Sequence, residues 1–438
     1  MKKLIEDCFD CRRGERVFTA AMSVCFFLVI STFWILKPIK KTVFIAQFDE
    51  SGVLLLTWHL SASQAELIAK ILNMVVAFGA VVLFTWFARR FRRQTLIHIF
   101  SVFFILCFAA FSLIMTRPSD LATWSFYLLG DLFSTLMVAT FFAFLNDSVT
   151  PDSAKRLYGL IGLGGVLGGA VGSTALRAWI DSLTISEWMW VTLGIAVVIV
   201  AVAFAAGRLV DRDPPERRTA LAATGAVRSA NPALEGAKLV VRSPYLLSIV
   251  AIVGLYEIVS TVLDFQFTET VSHYLDGDAI GRRFSTMYAV TNWTSLLVQL
   301  FLTSFVMTRF GLTTALLVLP VAMLAGSAAF LVLPVLWVGS FLNTIDNGFS
   351  YSINQSAKEA LYVPATRDEK YKAKAFIDMF VQRFAKALAV GVNLTVAAAF
   401  AEFSGIRWLG VFTMAIIVVW IAAARYAGGR FRALSEGS

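Results

Sequence analysis

Apolar runs long enough to cross a membrane recur from one end of this sequence to the other, and no polar stretch between them reaches 50 residues. About 20 apolar residues cross the hydrocarbon core as a helix. Inside lipid every backbone polar group must be satisfied by the chain itself, so such runs fold as helices. That leaves no room for a soluble enzyme domain, and the 58% hydrophobic content agrees. Twelve spans are expected, near 17–45, 66–88, 95–115, 121–145, 157–176, 187–207, 244–266, 284–306, 312–333, 335–353, 375–400 and 407–427. The first exceeds one span, and Pro38 is expected to interrupt it by removing a backbone donor. The fold class expected is an all-α polytopic membrane protein.

The net charge of +9 raises nucleic acid as a partner. In a membrane chain, basic cytoplasmic loops explain it better. With both termini inside, the inner segments hold about 27 of the 38 Lys and Arg and the outer segments about five. The topology expected is N-in and C-in. Five of these residues precede the first apolar run and no small-residue cleavage site follows, so a retained first span is expected rather than a signal peptide. Residues 208–243 are polar and proline-bearing, as a tether would be. They divide the chain into an N-terminal six-helix half (1–207) and a C-terminal six-helix half (244–438). Two six-helix repeats around a central cavity is the major-facilitator layout.

Six Lys and Arg fall inside spans: Lys37, Lys40, Lys41, Lys70, Arg383 and Lys386. A charge at mid-membrane costs roughly 2.5 to 3.5 kcal/mol on insertion scales and usually faces protein or a watery cavity. Lys37, Lys40 and Lys41 stand at i, i+3 and i+4, one face of a helix. Two readings stay open for them. They form an anion site, or the helix ends at Leu36 and they reach up to lipid headgroups. Embedded acids accompany them. Asp131 lies in the fourth span. Glu257 and Asp264 lie on one face of the seventh, with Ser260 and Thr261 between them. Asn343, Asp346, Asn347 and Asn354 give the tenth span a polar side, and Asp378, Gln382, Arg383, Lys386 and Asn393 do so for the eleventh. Any one of these can be a structural ion pair or helix-to-helix hydrogen bond. The recurrence of opposite charges on spans one, four, seven, ten and eleven points to a polar cavity.

Gly165, Gly169 and Gly172 form a small-residue ridge for close helix approach. The soluble strand-loop-helix setting and the GK[ST] ending of a phosphate loop are missing. Cys8 and Cys11 form one CxxC without a second pair or a nearby histidine, so reduced thiols are expected and no metal. His59, His98 and His273 are isolated. No catalytic constellation or cofactor motif is found, so neither an enzyme nor a cofactor is expected.

Residues 354–388 read NQSAKEALYVPATRDEKYKAKAFIDMFVQRFAKAL. This resembles the non-mitochondrial ATP/ADP translocases of plastids and intracellular bacteria, whose signature runs close to DPTKEMAYIP, then KGKAAIDVV, then R-x-GKSGG. Lys358 to Pro364 matches the first part and Lys372 to Asp378 the second. Arg383 and Lys386 fall where that family has its arginine and lysine. Residues 141–165, FFAFLNDSVTPDSAKRLYGLIGLGG, containing Asn146, are similar to the family's FWGFAN and AKRFY segment. ILKPIKKTV sets Lys37 on an arginine and Lys40 on a lysine of the family's ILRDTKDTL. Asp131 lies near the family's first-half glutamate and Glu257 near its second-half one. There are departures. The family's GKSGG is AKALA here, and LDFQF stands where an ending near EVTWK is expected.

The resemblance implies exchange of ATP for ADP with phosphate, or nucleotide uptake with protons. It implies a bacterial inner (cytoplasmic) membrane location, the lipid bilayer and a small anionic substrate as partners, no nucleic acid, and a monomer. The substrate-binding residues expected are Lys37, Lys40, Lys41, Asp131, Asn146, Glu257, Asp264, Asp346, Asp378, Arg383 and Lys386. Phe33 and Trp34 are candidates to stack a base, although aromatics in a chain with 13% of them are more often packing. The rival expectations are a transporter of the same fold that moves another organic anion or a cofactor, and a membrane sensor or assembly protein that transports nothing.

Overall fold

The computed structural model of the chain describes residues 15–49, 51–55, 58–149, 151–210, 232–364, 373–400 and 403–436. Cys8, Cys11 and most of the central tether lie outside these. Helix α1 (Arg16–Phe48) leads into a hairpin, β1 (Val53–Leu55) and β2 (Trp58–Leu60). Then come α2 (Ala62–Arg90), α3 (Arg93–Ile114), α4 (Asp120–Ser148), α5 (Pro151–Trp179) and α6 (Ile185–Val210). After the tether follow α7 (Pro232–Arg242), α8 (Pro244–Tyr274), α9 (Asp278–Leu297), α10 (Ser304–Arg309) and α11 (Gly311–Val332). The last are α12 (Leu336–Phe349), α13 (Gln355–Ala360), α14 (Lys374–Phe376), α15 (Gln382–Ala399) and α16 (Leu409–Glu436).

The helix starts follow ordinary end chemistry. Ser119 accepts a hydrogen bond from the Ala122 N–H at the head of α4, with Asp120 in the first turn. Ser243 accepts from Leu246 N–H at the head of α8, and Pro244 occupies the first position, where a missing donor costs nothing.

Among the described residues, ten helical stretches are long and apolar enough to cross a membrane. The expected tenth and eleventh spans are not among them. There the chain is helical over 336–360 and 374–399 but rich in polar residues. Each path contains a π turn, Ser350–Asn354 and Ile377–Val381, and a third π turn, Val298–Thr303, joins α9 to α10. π turns gather at functional positions and rotate the faces that follow them.

Two expectations need correction. Helix α1 runs without interruption through Pro38. Apolar packing on both sides of the proline holds it, with Ile35, Leu36 and Ile39 buried around the turn. The fold is mostly helical as expected, with one short hairpin in which Val53–Leu55 pairs antiparallel with Trp58–Leu60. Gly52 turns the chain into this hairpin at φ 62°, and a side chain there would meet the Leu60 carbonyl at 2.8 Å. Finally, the end of the tether is not loose: α7 is helical and its Val240 is 3% exposed.

Two compact units are present. The first comprises Met1–Gln47, Leu72–Arg228 and Gly281–Ala289; the second comprises Phe48–Ile71, Ser229–Ile280 and Val290–Ser438. Each has its own apolar core. In the first, Phe104 meets Phe133 edge to face at 5.0 Å. In the second, Trp420 is fully buried against Tyr256.

The glycine-rich face of α5 is used within the first unit, with Gly172 as expected and Gly164 and Gly168 each one residue before an expected position. Gly164, Gly168 and Gly172 lie on the backbone of Ser23, Phe27 and Ser31 in α1. The close approach lets Ser31 Oγ donate to the Gly168 carbonyl at 3.0 Å.

Candidate substrate site

In the first unit α1 carries all three lysines past Leu36, so they sit inside the bundle. Lys40 and Lys41 are 5% and 3% exposed, which places neither at a lipid headgroup. Lys40 forms an ion pair with Asp131 of α4. Asn73 of α2 donates to the same carboxylate oxygen at 2.6 Å. The Lys40 ammonium also lies 4.3 Å from the Tyr127 ring centre. Gly130 makes room for the lysine stem, since a Cβ there would stand 2.8 Å from Lys40 Cδ. Lys37 is held by three rings, Trp34 at 4.7 Å, Tyr288 at 5.0 Å and Phe33 at 5.8 Å. Phe33 and Trp34 therefore already contact a cation. Lys41 lies 5.1 Å from the Phe284 ring. Asn146 is not part of this cluster. Near the far end of α4, its side chain accepts a hydrogen bond from Tyr158.

In the second unit Lys386 of α15 pairs with Glu257 of α8 at 3.6 Å. Asp264 pairs with Lys70 at 2.5 Å, and Lys70 also lies 3.3 Å from Glu66, four residues back on α2. Asp346 is fully buried and accepts from Ser260 Oγ at 2.7 Å. Lys358 is 9% exposed, with its ammonium 5.1 Å from the Tyr256 ring. Burial pushes the Lys358 ammonium below its ordinary value, while the Glu257, Asp378 and Glu359 carboxylates pull the other way. Lys374 pairs with Glu359 at 2.5 Å. Arg383 is half-buried and makes no ion pair or hydrogen bond among the described residues. A half-buried guanidinium keeps its planar fork available to an incoming anion.

Sequence reasoning named Lys70 as a cation within a span but left it out of the site, and it missed Asn73 and Glu66. The i, i+4 spacing of Glu66 and Lys70 was a usable signal. Nothing in the local sequence marks Asn73, which meets Asp131 across 58 residues of chain only in the folded structure.

Long membrane helices with lysine and carboxylate partners packed inside their bundles define a polytopic membrane transporter. The chain belongs to the Major Facilitator Superfamily, whose profile matches residues 19–368. A second profile, TLC ATP/ADP transporter, matches residues 329–431. The chain is 23% identical to the chloroplastic ADP,ATP carrier protein 2 of Arabidopsis thaliana, over 96% of its own length and 79% of the carrier's. It is 24% identical to ADP,ATP carrier protein 1 of Chlamydia muridarum, over 94% and 88%. Among solved structures, the nucleoside transporter NupG superposes with a TM-score of 0.63 at 12% identity, covering 95% of this chain and 99% of that one. A bacterial homologue of the human lysosomal transporter Spinster gives 0.60 at 14%, covering 97% and 99%. These two share the fold.

Proposed function

We propose that this protein carries nucleotides across a membrane by alternating access, exchanging ATP and ADP or taking nucleotides up. The observation that carries the reading is the pair Lys386–Glu257, whose lysine falls in the segment similar to ATP/ADP transporters. The first unit offers a counterpart in Lys40–Asp131. A nucleotide triphosphate bears several negative charges and needs fixed cations to replace its hydration. Lysine supplies a point charge and Arg383 a bidentate fork. Without substrate the lysines are neutralised by Asp131 and Glu257, so an empty carrier holds little net charge in lipid. Phosphate oxygens compete with those carboxylates, and binding exchanges one set of ion pairs for another. Lys37, Lys41, Asp264, Asp346 and Asp378 belong to the same proposal as neighbours that set the local charge, with Asn146 farther along α4. The halves 1–207 and 244–438, the tether 208–243 and a monomeric carrier are part of it too.

The test is a thermal-shift screen of purified protein against nucleotides and other organic anions. ATP and ADP are expected to raise the melting temperature saturably. A response confined to a different organic anion replaces the nucleotide with that solute, and no response to any of them favours a sensor or assembly role.

The proposed location is a bacterial inner membrane with both termini cytoplasmic, since the basic residues concentrate in the segments this assigns inside. A reporter fused after Arg218 is expected to read cytoplasmic and one near Asp276 external. Either reading on the opposite side refutes the six-plus-six topology.

A further inference from the structure

Glu269 lies on α8 inside the stretch Pro244–Tyr274, which is long and apolar enough to cross a membrane. Its Oε2 is enclosed by protein and has no hydrogen-bond partner, while the side chain as a whole is only partly buried. Among the described residues Glu269 makes no hydrogen bond and no ion pair. One turn further on, the enclosed Ser272 hydroxyl also lacks a partner.

The charged and titratable groups around this end of α8 are committed elsewhere. Lys70 and Glu66 of α2 are engaged with Asp264 and with each other. Arg407, in the turn Phe403–Trp408, lies 5.5 Å from the Trp408 ring. The His273 ring stacks on Phe403 at 3.9 Å. On α12 the part nearest this level is Gly339, beside Thr270, and the acidic Asp346 is held by Ser260 further along. Asn393 of α15 reaches the Thr261 carbonyl, and 387–399 of that helix carries no charge. His59 on β2 is exposed.

An ionised carboxylate enclosed in a low-dielectric interior without a partner is so costly that the group neutralises instead. Ionisable side chains kept inside a span mark ion pathways and proton relays. We propose that Glu269 is a proton-binding site that couples this transporter's conformational cycle to pH. The carboxyl carries the proton while its Oε2 is enclosed; in the alternate conformation that oxygen meets water and the proton is released. The step is a simple dissociation, with RCOOH giving RCOO⁻ and H⁺, and nothing is oxidised or reduced. The inference rests on the alternating-access reading but not on which solute is carried.

The test uses the full-length purified protein without substrate. Infrared difference spectra between acidic and alkaline buffer are expected to contain a protonated-carboxyl C=O band that Glu269→Gln removes and Glu269→Asp displaces. In proteoliposomes, a proton gradient is expected to stimulate uptake of radiolabelled ATP by the wild type, and Glu269→Gln to retain exchange while losing the stimulation. A band unchanged in Glu269→Gln overturns the proposal, as does gradient stimulation that survives the substitution. If Glu269→Gln does not fold, the band displacement in Glu269→Asp decides. A wild type that neither binds nor exchanges ATP refutes the nucleotide reading and leaves the infrared result to judge Glu269 alone.

Discussion

Lys40→Gln is expected to lose affinity for ATP and to melt at a markedly lower temperature. Each buried charge-assisted hydrogen bond contributes about 1.5 to 3 kcal/mol, which is about tenfold or more in affinity. Lys40 and Asp131 are 6% and 24% exposed at the side chain, so the substitution strands a carboxylate in a nearly dry site. Breaking a buried pair by removing one partner costs roughly 3 to 5 kcal/mol of stability. Lys40→Gln combined with Asp131→Asn removes both charges and should recover most of the melting temperature but none of the affinity. Lys386→Gln separates the two effects. Its side chain is 49% exposed, so affinity should fall with little change in melting temperature. ATP titration and thermal denaturation, run together on the four proteins, check this. Unchanged ATP binding in both single variants would remove these lysines from the substrate site. Recovery of binding in the double variant would make the Lys40–Asp131 pair purely structural.

Gly172→Val is expected to abolish folded protein or nearly so. A Cβ at Gly172 would stand 2.7 Å from both Cα and the carbonyl oxygen of Ser31, which are backbone atoms that cannot rotate away. Overpacking a core typically costs about 1 to 3 kcal/mol, and a clash with backbone belongs at or above the top of that range. Gly159→Ala and Gly162→Ala on the same helix meet nothing within 4 Å and should be neutral. Detergent-extracted yield and monodispersity on size-exclusion chromatography of the three variants check the prediction. Normal behaviour of Gly172→Val would show that α1 and α5 are not held at backbone contact.

The membrane class, the positions of most spans and the presence of intramembrane charge were legible in the sequence by itself, because lipid imposes one rule on every residue of a span. Apolar length determines where helices form, and a lysine or aspartate inside such a length stands out. That is why Lys40, Asp131, Glu257 and Lys386 could be named from the chain alone. The motif around residues 358–386 pointed to Lys386 as well, and the match at ILKPIKKTV to Lys40.

Pairing was decided only by tertiary structure. Lys40 and Asp131 are far apart in sequence, as are Lys70 and Asp264, and hydropathy carries no information about which helices are neighbours. The fate of Pro38 was decided there as well, since packing around Ile35, Leu36 and Ile39 keeps α1 helical past the residue expected to break it. The glycine ridge was visible as a composition, yet only the packed structure shows Gly164, Gly168 and Gly172 against the α1 backbone. The π turns Ser350–Asn354 and Ile377–Val381 shift helical faces in a way that i, i+4 counting along 336–360 and 374–399 cannot foresee. Glu269 shows the same division. In sequence it is one acid among several on α8, and only the packing around it reveals a carboxyl with no partner.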